Sequence, residues 1–371
     1  MTDVLGITLP EPGGVATPNV WGTTNNAVLV ALEAAVLGSA VNAQDATYGA
    51  VGDDDTDATT ALQAAIDACP AGGTVLIPAG TYKLTSALEL PDYITIRGVG
   101  AGSILKQYTN SEPIFEGQAA SNTSYVYIYG LRFSAAGSGC YGIKGDPADY
   151  YFSVGEIRNC WFDAELAYGL SFLPAHWNVE NCYFARVGTP GATCQGIHFY
   201  GTNTRVQFNN TIRNCWFDKA IGVNGAVEAD TGNSLLLINN TWEGLTAPAL
   251  YSRGCQNIHV IGGSLENVDI AGTGVALFNI GQDATPNLCY LTLDDVRISQ
   301  GASEGDADAI VATDTGGNVS FLNCRINAND HYWTVRPGTT TYDTRIVMIL
   351  NCKENLLGDF GHARAVQSGD L

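Results

Sequence analysis

Glu228 and Asp230 stand two residues apart in the segment Ala226-Val-Glu-Ala-Asp230. On an extended strand, residues i and i+2 share a face with their Cα atoms about 6.7 Å apart. That is near the ~6.5–9.5 Å carboxyl separation at which one acid protonates a glycosidic oxygen while the other activates water. His198 and Tyr200 hold the same two places in Gly196-Ile-His-Phe-Tyr200, and Tyr251 and Arg253 hold them in Ala249-Leu-Tyr-Ser-Arg253. Arg253 is expected to hold one carboxylate ionised, while its like-charged neighbour raises the proton affinity of the other. A different chemistry is open to His198 or Tyr200. Either could take a proton in a β-elimination, with Arg253 or Lys144 neutralising a sugar carboxylate.

These residues belong to a recurring segment in which a small residue precedes an aliphatic one. Its copies are Gly142-Ile143, Gly169-Leu170, Gly196-Ile197, Ala226-Val227, Ala249-Leu250, Ala276-Leu277 and Ala309-Ile310. With the aliphatic residues inward, their successors Lys144, Ser171, His198, Glu228, Tyr251, Phe278 and Val311 are expected outward. So are Asp146, Leu173, Tyr200, Asp230, Arg253, Ile280 and Thr313, two places on. If such segments stack at ~4.8 Å, the His198, Glu228 and Tyr251 rungs form one patch, which Lys144 and Asp146 extend.

A second repeat states how the segments are stacked. Its clearest copies are Ile157-Arg-Asn-Cys-Trp-Phe162, Val179-Glu-Asn-Cys-Tyr-Phe184 and Ile212-Arg-Asn-Cys-Trp-Phe217. The third place reads Gly98, Gly130, Asn159, Asn181, Asn214, Asn239, Gly262, Asp295, Asn323 and Asn351. Spacing is uneven, from 22 residues (Asn159 to Asn181) to 33 (Asn181 to Asn214). Helical solenoids keep a stricter period, and period-2 segments broken by Gly and Asn indicate strands. The pattern predicts an all-β chain, a right-handed parallel β-helix of about ten coils in which loops inserted at one corner absorb the unequal lengths. Gly, Asn and Asp at the third place suit a bend at φ > 0, and stacked Asn side chains can hydrogen-bond up the column. Cys160, Cys182, Cys215, Cys324 and Cys352 are expected to point inward as free thiols.

An open end of such a rod needs a cap. Residues 57–69 supply a helix with Leu62, Ile66 and Cys69 on one face and Asp57 as its N-cap. Gly72-Gly73 should end it before a strand over Thr74–Pro78. The acidic run Asp53, Asp54, Asp55 and Asp57 lacks the spacing of a calcium loop and is assigned to the charge at the helix start.

The stretch Tyr48-GAVGDDDTDATTALQAAIDACPAGGTVLIPAGTYKL-Thr85, with Ile94-Thr-Ile-Arg-Gly-Val-Gly after it, resembles the opening of pectate-lyase-like β-helices of the bacteriophage tailspike and tail-fibre type. The resemblance implies catalysis on the strand that carries His198 and Glu228. It also implies a homotrimer exposed on the virion tail, made in the bacterial cytoplasm and meeting a bacterial surface polysaccharide. The chain lacks the Asn-x-Asp, Asp-Asp and His-Gly set of polygalacturonases and the calcium cluster of pectate lyases, so no substrate is carried over. Hydrolysis is the leading expectation; a polysaccharide lyase, a non-enzymatic adhesin or structural fibre, and a cellular polysaccharide-degrading enzyme are the alternatives.

Residues 1–46 form a separate expectation: a Pro- and Gly-rich arm, then a helical stripe of Val28, Leu32, Ala35 and Val36. A Trp-Gly start before a short helix is similar to the beginnings of phage tail-fibre and minor-tail proteins. It is read either as an attachment and trimerising element that contacts other tail or baseplate proteins, or as one more cap helix. Residues 47–371 are the β-helix. Trp161, Tyr183 and Trp216, at the variable place of the Asn-Cys repeat, should stack outward beside Asp163, Asp218 and Glu243. Subunit contact is favoured for that row, with sugar stacking the other reading.

Bulk properties agree with a partner that is neither nucleic acid nor membrane. The 37 acidic residues outnumber 17 basic ones, for a net charge of -20, which repels phosphate backbones and anionic lipids. No secretory signal is readable at the start, and no stretch approaches the ~20 apolar residues of a membrane span. Neither a zinc spacing nor a nucleotide-binding loop is present, so no metal and no cofactor are expected.

Overall fold

The computed structural model describes residues 40–118, 121–145, 151–163, 165–185, 195–201, 206–218, 225–244, 248–266, 276–281, 289–299, 309–313, 317–327, 333–337, 346–350, 352 and 364–367. These fold into a right-handed parallel β-helix. Among the described residues, three parallel sheets of 13, 11 and 10 strands run its length, and every strand between a sheet's two ends pairs with its equivalents one coil before and one coil after. One coil runs through Phe152–Arg158 in the first sheet, Trp161–Phe162 in the second and Tyr168–Phe172 in the third. The next repeats it as Pro174–Glu180, Tyr183–Ala185 and Gln195–Phe199.

The corner between the first and second sheets explains the Asn-Cys repeat. Gly130, Asn159, Asn181, Asn214, Asn239, Gly262, Asp295 and Asn323 all take φ between 50° and 63°, the left-handed region that Gly, Asn and Asp tolerate best. Gly98 is not among them, and Asn351 lies outside the described residues. Each corner residue donates its backbone N–H to the coil above, as Asn159 to Glu180 O, Asn181 to Arg213 O and Asn214 to Ile238 O. Backbone bonds therefore run up the column.

The residue after each bend turns inward. Cys160, Cys182, Cys215 and Cys324 are buried free thiols, and Cys352 is half-buried. Each aims Sγ at a carbonyl one coil below, such as Cys182 at Ile157 O and Cys215 at Val179 O. Asn240 replaces the thiol once, fully buried, donating to Ile212 O and accepting from the Cys215 N–H.

From Gly130 onward this corner stays two residues long, whereas both other corners vary: Phe162 and Tyr168 are separated by five residues and Ala185 and Gln195 by nine, Phe172 and Pro174 by one and Phe199 and Gln207 by seven. Length is thus absorbed at two corners, where one was expected. A second left-handed column, Tyr93, Tyr125, Val154, His176, Asn209 and Ser234, bends the first-sheet strands. Tyr and β-branched Val do not announce such a conformation.

Inside, aromatic rings stack along the axis: Phe133 on Phe162 at 4.7 Å, Phe162 on Phe184 at 4.6 Å, and Phe184 on Phe217 at 4.9 Å, all within 7° of parallel. Such pairs add about 0.5–1.5 kcal/mol each beyond their buried area. The ladder dictates the small residue of the third-sheet segment. A Cβ on Gly169 would lie 2.8 Å from the Phe184 ring and 2.5 Å from Gly196 O.

The helix Thr59–Ala68 covers the first coil, burying Leu62, Ala65 and Ile66. Cys69 lies just beyond it and is half-buried. Ala58, not Asp57, is the N-cap residue. Asp57 still ties down the start, accepting from the Thr59 N–H and hydroxyl and from the Thr85 hydroxyl. The acidic run is a strand, Asp53–Asp57, and not a charged helix turn. Asp53 accepts from the backbone N–H groups of Asp55 and Thr56, and Asp54 pairs with Lys106 at 2.8 Å. At the other boundary, Ala40–Asn42 already pairs with Thr74–Leu76, so the sheet begins inside the segment expected as an arm. Residues 1–39, with the stripe of Val28, Leu32, Ala35 and Val36, lie outside the described residues. Among the described residues, no helix is long and apolar enough to cross a membrane.

Candidate functional site

The third sheet stacks Glu89, Glu116, Lys144, Ser171, His198, Glu228, Tyr251 and Asn279 in one register. The inner row beside it is Ile143, Leu170, Ile197, Val227, Leu250, Phe278 and Val311. Phe278 and Val311, expected outward, are therefore core residues, and Asn279 takes the outer place. The alternation slips by one because Ala276–Ile280 is buried throughout. Leu173 and Ile280 are buried too, against expectation. Asp146 lies outside the described residues, as does the side chain of Thr313.

Tyr200, Asp230 and Arg253 follow their strands directly and are held by continued main-chain bonds. Their N–H groups donate to Phe172 O, Phe199 O and Ala229 O. The backbone ladder thus fixes three side chains that converge with two from the register above. Arg253 Nε donates to Glu228 Oε1 at 2.8 Å and lies 3.2 Å from Asp230 Oδ1. His198 Nε2 lies 3.2 Å from Asp230 Oδ2 and 3.6 Å from Glu228 Oε2. The Tyr200 ring lies against His198, with centroids 3.9 Å apart, and its hydroxyl accepts from Ser171 at 3.1 Å.

Two expectations change here. Glu228 is not an open carboxylate: its side chain is 1% exposed, against 14% for Asp230 and 11% for His198. Arg253 closes over it from the next coil. Nor do the carboxylates keep the wide spacing of their Cα atoms. Ligand atoms of His198, Glu228 and Asp230 all lie within 4.8 Å of one another. Such clustering is tighter than the ~6.5–9.5 Å expected from the two carboxylates alone. Ser171, expected outward, is fully buried beneath Tyr200.

Electrostatics follow from this packing. Burial works against the Arg253 charge, but Glu228, joined by Asp230 and Tyr251, outweighs it and the guanidinium binds its proton more tightly than usual. Burial raises the Tyr200 phenol, opposed by the Ser171 hydrogen bond and reinforced by Tyr168, Asp230 and Glu228. One imidazole and two carboxylates could ligate a zinc-like ion, and they offer too few oxygens for calcium. Arg253 already neutralises both carboxylates, so a cation would have to displace it.

The predicted aromatic row lies on the second sheet. Trp161, Tyr183 and Trp216 are in register. Trp161 and Tyr183 are 4.2 Å apart between ring centroids, and Trp216 meets Tyr183 edge-on at 5.4 Å. Trp161 is 39% and Trp216 45% exposed. Tyr183 donates to Asp218, while Asp163 is nearly buried and paired with Arg132. Residues that the sequence reading missed are Asn279, hidden by the register slip, and Tyr141 and Tyr168. The latter two rings stack at 4.6 Å one and two coils below His198.

Fold and repeat together are those of a right-handed parallel β-helix. Residues 40–138 match the family model described as rhamnogalacturonase A/epimerase, pectate lyase-like. The tailspike protein of Acinetobacter phage vB_ApiP_P1 shares the fold over 90% of this chain and 60% of its own, with 15% identity and a TM-score of 0.65. Mannuronan C5-epimerase AlgE3 of Azotobacter vinelandii is 48% identical over 62 residues, 15% of this chain and 3% of the epimerase. An exo-poly-alpha-D-galacturonosidase of Dickeya chrysanthemi is 45% identical over 58 residues, 16% of this chain and 10% of that enzyme. The matches thus span a small part of these curated relatives.

Proposed function

We propose that this chain is a bacteriophage tail-associated protein that binds a bacterial surface polysaccharide and cleaves it by glycosidic hydrolysis on the third sheet. One observation carries the reading: an imidazole, two carboxylates and a guanidinium converge on the outer face of the third sheet. Burying charge is costly unless it is paired, and such clusters concentrate at functional sites. Kinship in fold with a tailspike and in sequence with polysaccharide-active enzymes supports it.

In the proposed reaction, Asp230 faces the sugar and attacks the anomeric carbon as the carbon–oxygen bond breaks. His198 delivers a proton to the leaving oxygen. Water then displaces Asp230 from the anomeric carbon and returns a proton to His198. Glu228, beneath Arg253, holds the guanidinium and the imidazole in place. Tyr251 and Arg253 bind the next sugar, and Lys144 and Tyr200 the preceding ones. No cofactor takes part.

Residues 1–46 would join other tail proteins, and the Trp161, Tyr183 and Trp216 row would lie between subunits of a homotrimer. A second reading, β-elimination, is supported by the contact between His198 and Tyr200, both able to carry a proton.

Product analysis on extracted host polysaccharide tests the proposal. New reducing ends that keep the anomeric configuration, without ultraviolet-absorbing unsaturated sugar, are expected. Unsaturated product would replace hydrolysis by elimination. Binding without product would leave an adhesin.

A further inference from the structure

The outer face of the first sheet carries large aromatic rings at its N-terminal end. Tyr93 and Tyr125 hold the same place in successive coils, with rings 4.6 Å apart and 11° from parallel. They are 51% and 39% exposed. Both take left-handed backbone, at φ 58° and 61°, where Gly or Asn costs less than a bulky side chain. Val154 follows in the next coil, half-buried, and the column then turns polar as His176, Asn209 and Ser234. Tyr127 and Tyr129 widen the surface along the strand, their rings 6.5 Å apart. Outward aromatic rings on strained backbone mark a surface that something covers.

The chain itself supplies an apolar counterpart. Ala27-Val-Leu-Val-Ala-Leu-Glu-Ala-Ala-Val-Leu37 has one charged residue, Glu33. A helix over it would place Val28, Leu32, Ala35 and Val36 on one side and more apolar residues around them, so it needs burial. The end of the rod does not provide it, because the helix Thr59–Ala68 already covers the first coil. Position favours the sheet face instead. Ala40 pairs with Thr74, and Thr74 with Thr95. The first sheet therefore begins two coils before that of Tyr93, about 10 Å away along the rod. Gly38 lies between the apolar run and this strand and suits a sharp reversal of the chain. Eleven helical residues span about 16 Å, enough to cross the coils of Tyr93, Tyr125 and Val154. Charge agrees with this placement. Arg97 is exposed on the same face and, among the described residues, enters no salt bridge, which gives Glu33 an opposite charge to meet.

We infer that residues 27–37 dock as a helix on the outer face of the first sheet, with Val28, Leu32 and Val36 against Tyr93, Tyr125 and Val154. The occupant of this surface is the chain's own N-terminal segment, and the inference is independent of what the third sheet binds. Residues 1–26 then leave the rod from a fixed point beside its first coils, free for the tail contacts proposed for this region.

Tyrosine acetylation with N-acetylimidazole, mapped by mass spectrometry on the full chain, tests the docking. Tyr290, 42% exposed on the same sheet, is the reference. In the parent, Tyr93 and Tyr125 should react about tenfold more slowly than Tyr290, and in Leu32→Ser they should rise to its rate. Hydrogen exchange gives the reciprocal reading. Residues 27–37 should be protected in the parent at every protein concentration. They should lose about tenfold of that protection when Tyr93→Asn and Tyr125→Asn are combined, since Asn tolerates both left-handed positions. Tyr93 and Tyr125 reacting as fast as Tyr290 in the parent, or unmoved by Leu32→Ser, overturns the docking. Protection that fades on dilution also overturns it and assigns the apolar run to a contact between copies.

Discussion

Arg253 reaches back one coil to donate to Glu228, and the 2.8 Å ion pair leaves the Glu228 side chain 1% and the Arg253 side chain 44% exposed. Removing the cation strands a buried charge, whereas removing both partners does not. Arg253→Ala should lower stability by about 1–3 kcal/mol, read from urea unfolding. Glu228→Gln combined with Arg253→Met should recover part of that loss. If the double variant is less stable than Arg253→Ala, the pair does not act as described.

Glu156 gives a pH signature. Burial disfavours its charge, but hydrogen bonds from Tyr129 and Asn178 and the Arg158 pair outweigh this, and its carboxyl lies below the usual 4.5. A depressed folded value means that the unfolded chain binds the proton more readily. The contribution is complete above the unfolded value and fades as pH falls through the folded one. The stability difference between the parent and Glu156→Gln should therefore be level at neutral pH and shrink below about pH 4.5. A difference that grows in acid would contradict this sign.

At Asn181, φ is 52°. Asn181→Ala should cost about 1–2 kcal/mol through left-handed strain, and Asn181→Gly distinctly less. Equal losses in thermal unfolding would mean that the side chain, and not the bend, decides the residue.

The corner was legible in the sequence because its chemistry is local. A two-residue bend of fixed length selects Asn or Gly and then a small inward residue, whatever lies around it. The outer row was legible as far as Tyr251, where Leu250 and Ser252 frame it. It failed at Ala276–Ile280, because period-2 reasoning needs a polar residue to mark the face and only Asn279 is polar. The burial of Glu228 was beyond reach for another reason. It depends on Arg253, 25 residues later, folding over it. His198 and Asp230 come together across 32 residues, in the neighbouring coils where the repeat places them.

The exposed Trp161 and Trp216 make a prediction about assembly. If this row lies between subunits, replacing both with Ser should shift sedimentation from trimer to monomer while the circular dichroism of the β-helix persists. A trimer unaffected by the change would assign the row elsewhere.

The most direct measurement compares turnover of extracted host polysaccharide by the parent, Asp230→Asn and a control, Tyr290→Ser, on the exposed part of the first sheet. The expected result is a loss of about a hundredfold or more in kcat for Asp230→Asn, with polysaccharide affinity retained and the control unchanged. Full turnover by Asp230→Asn would contradict the assignment of chemistry to the third sheet.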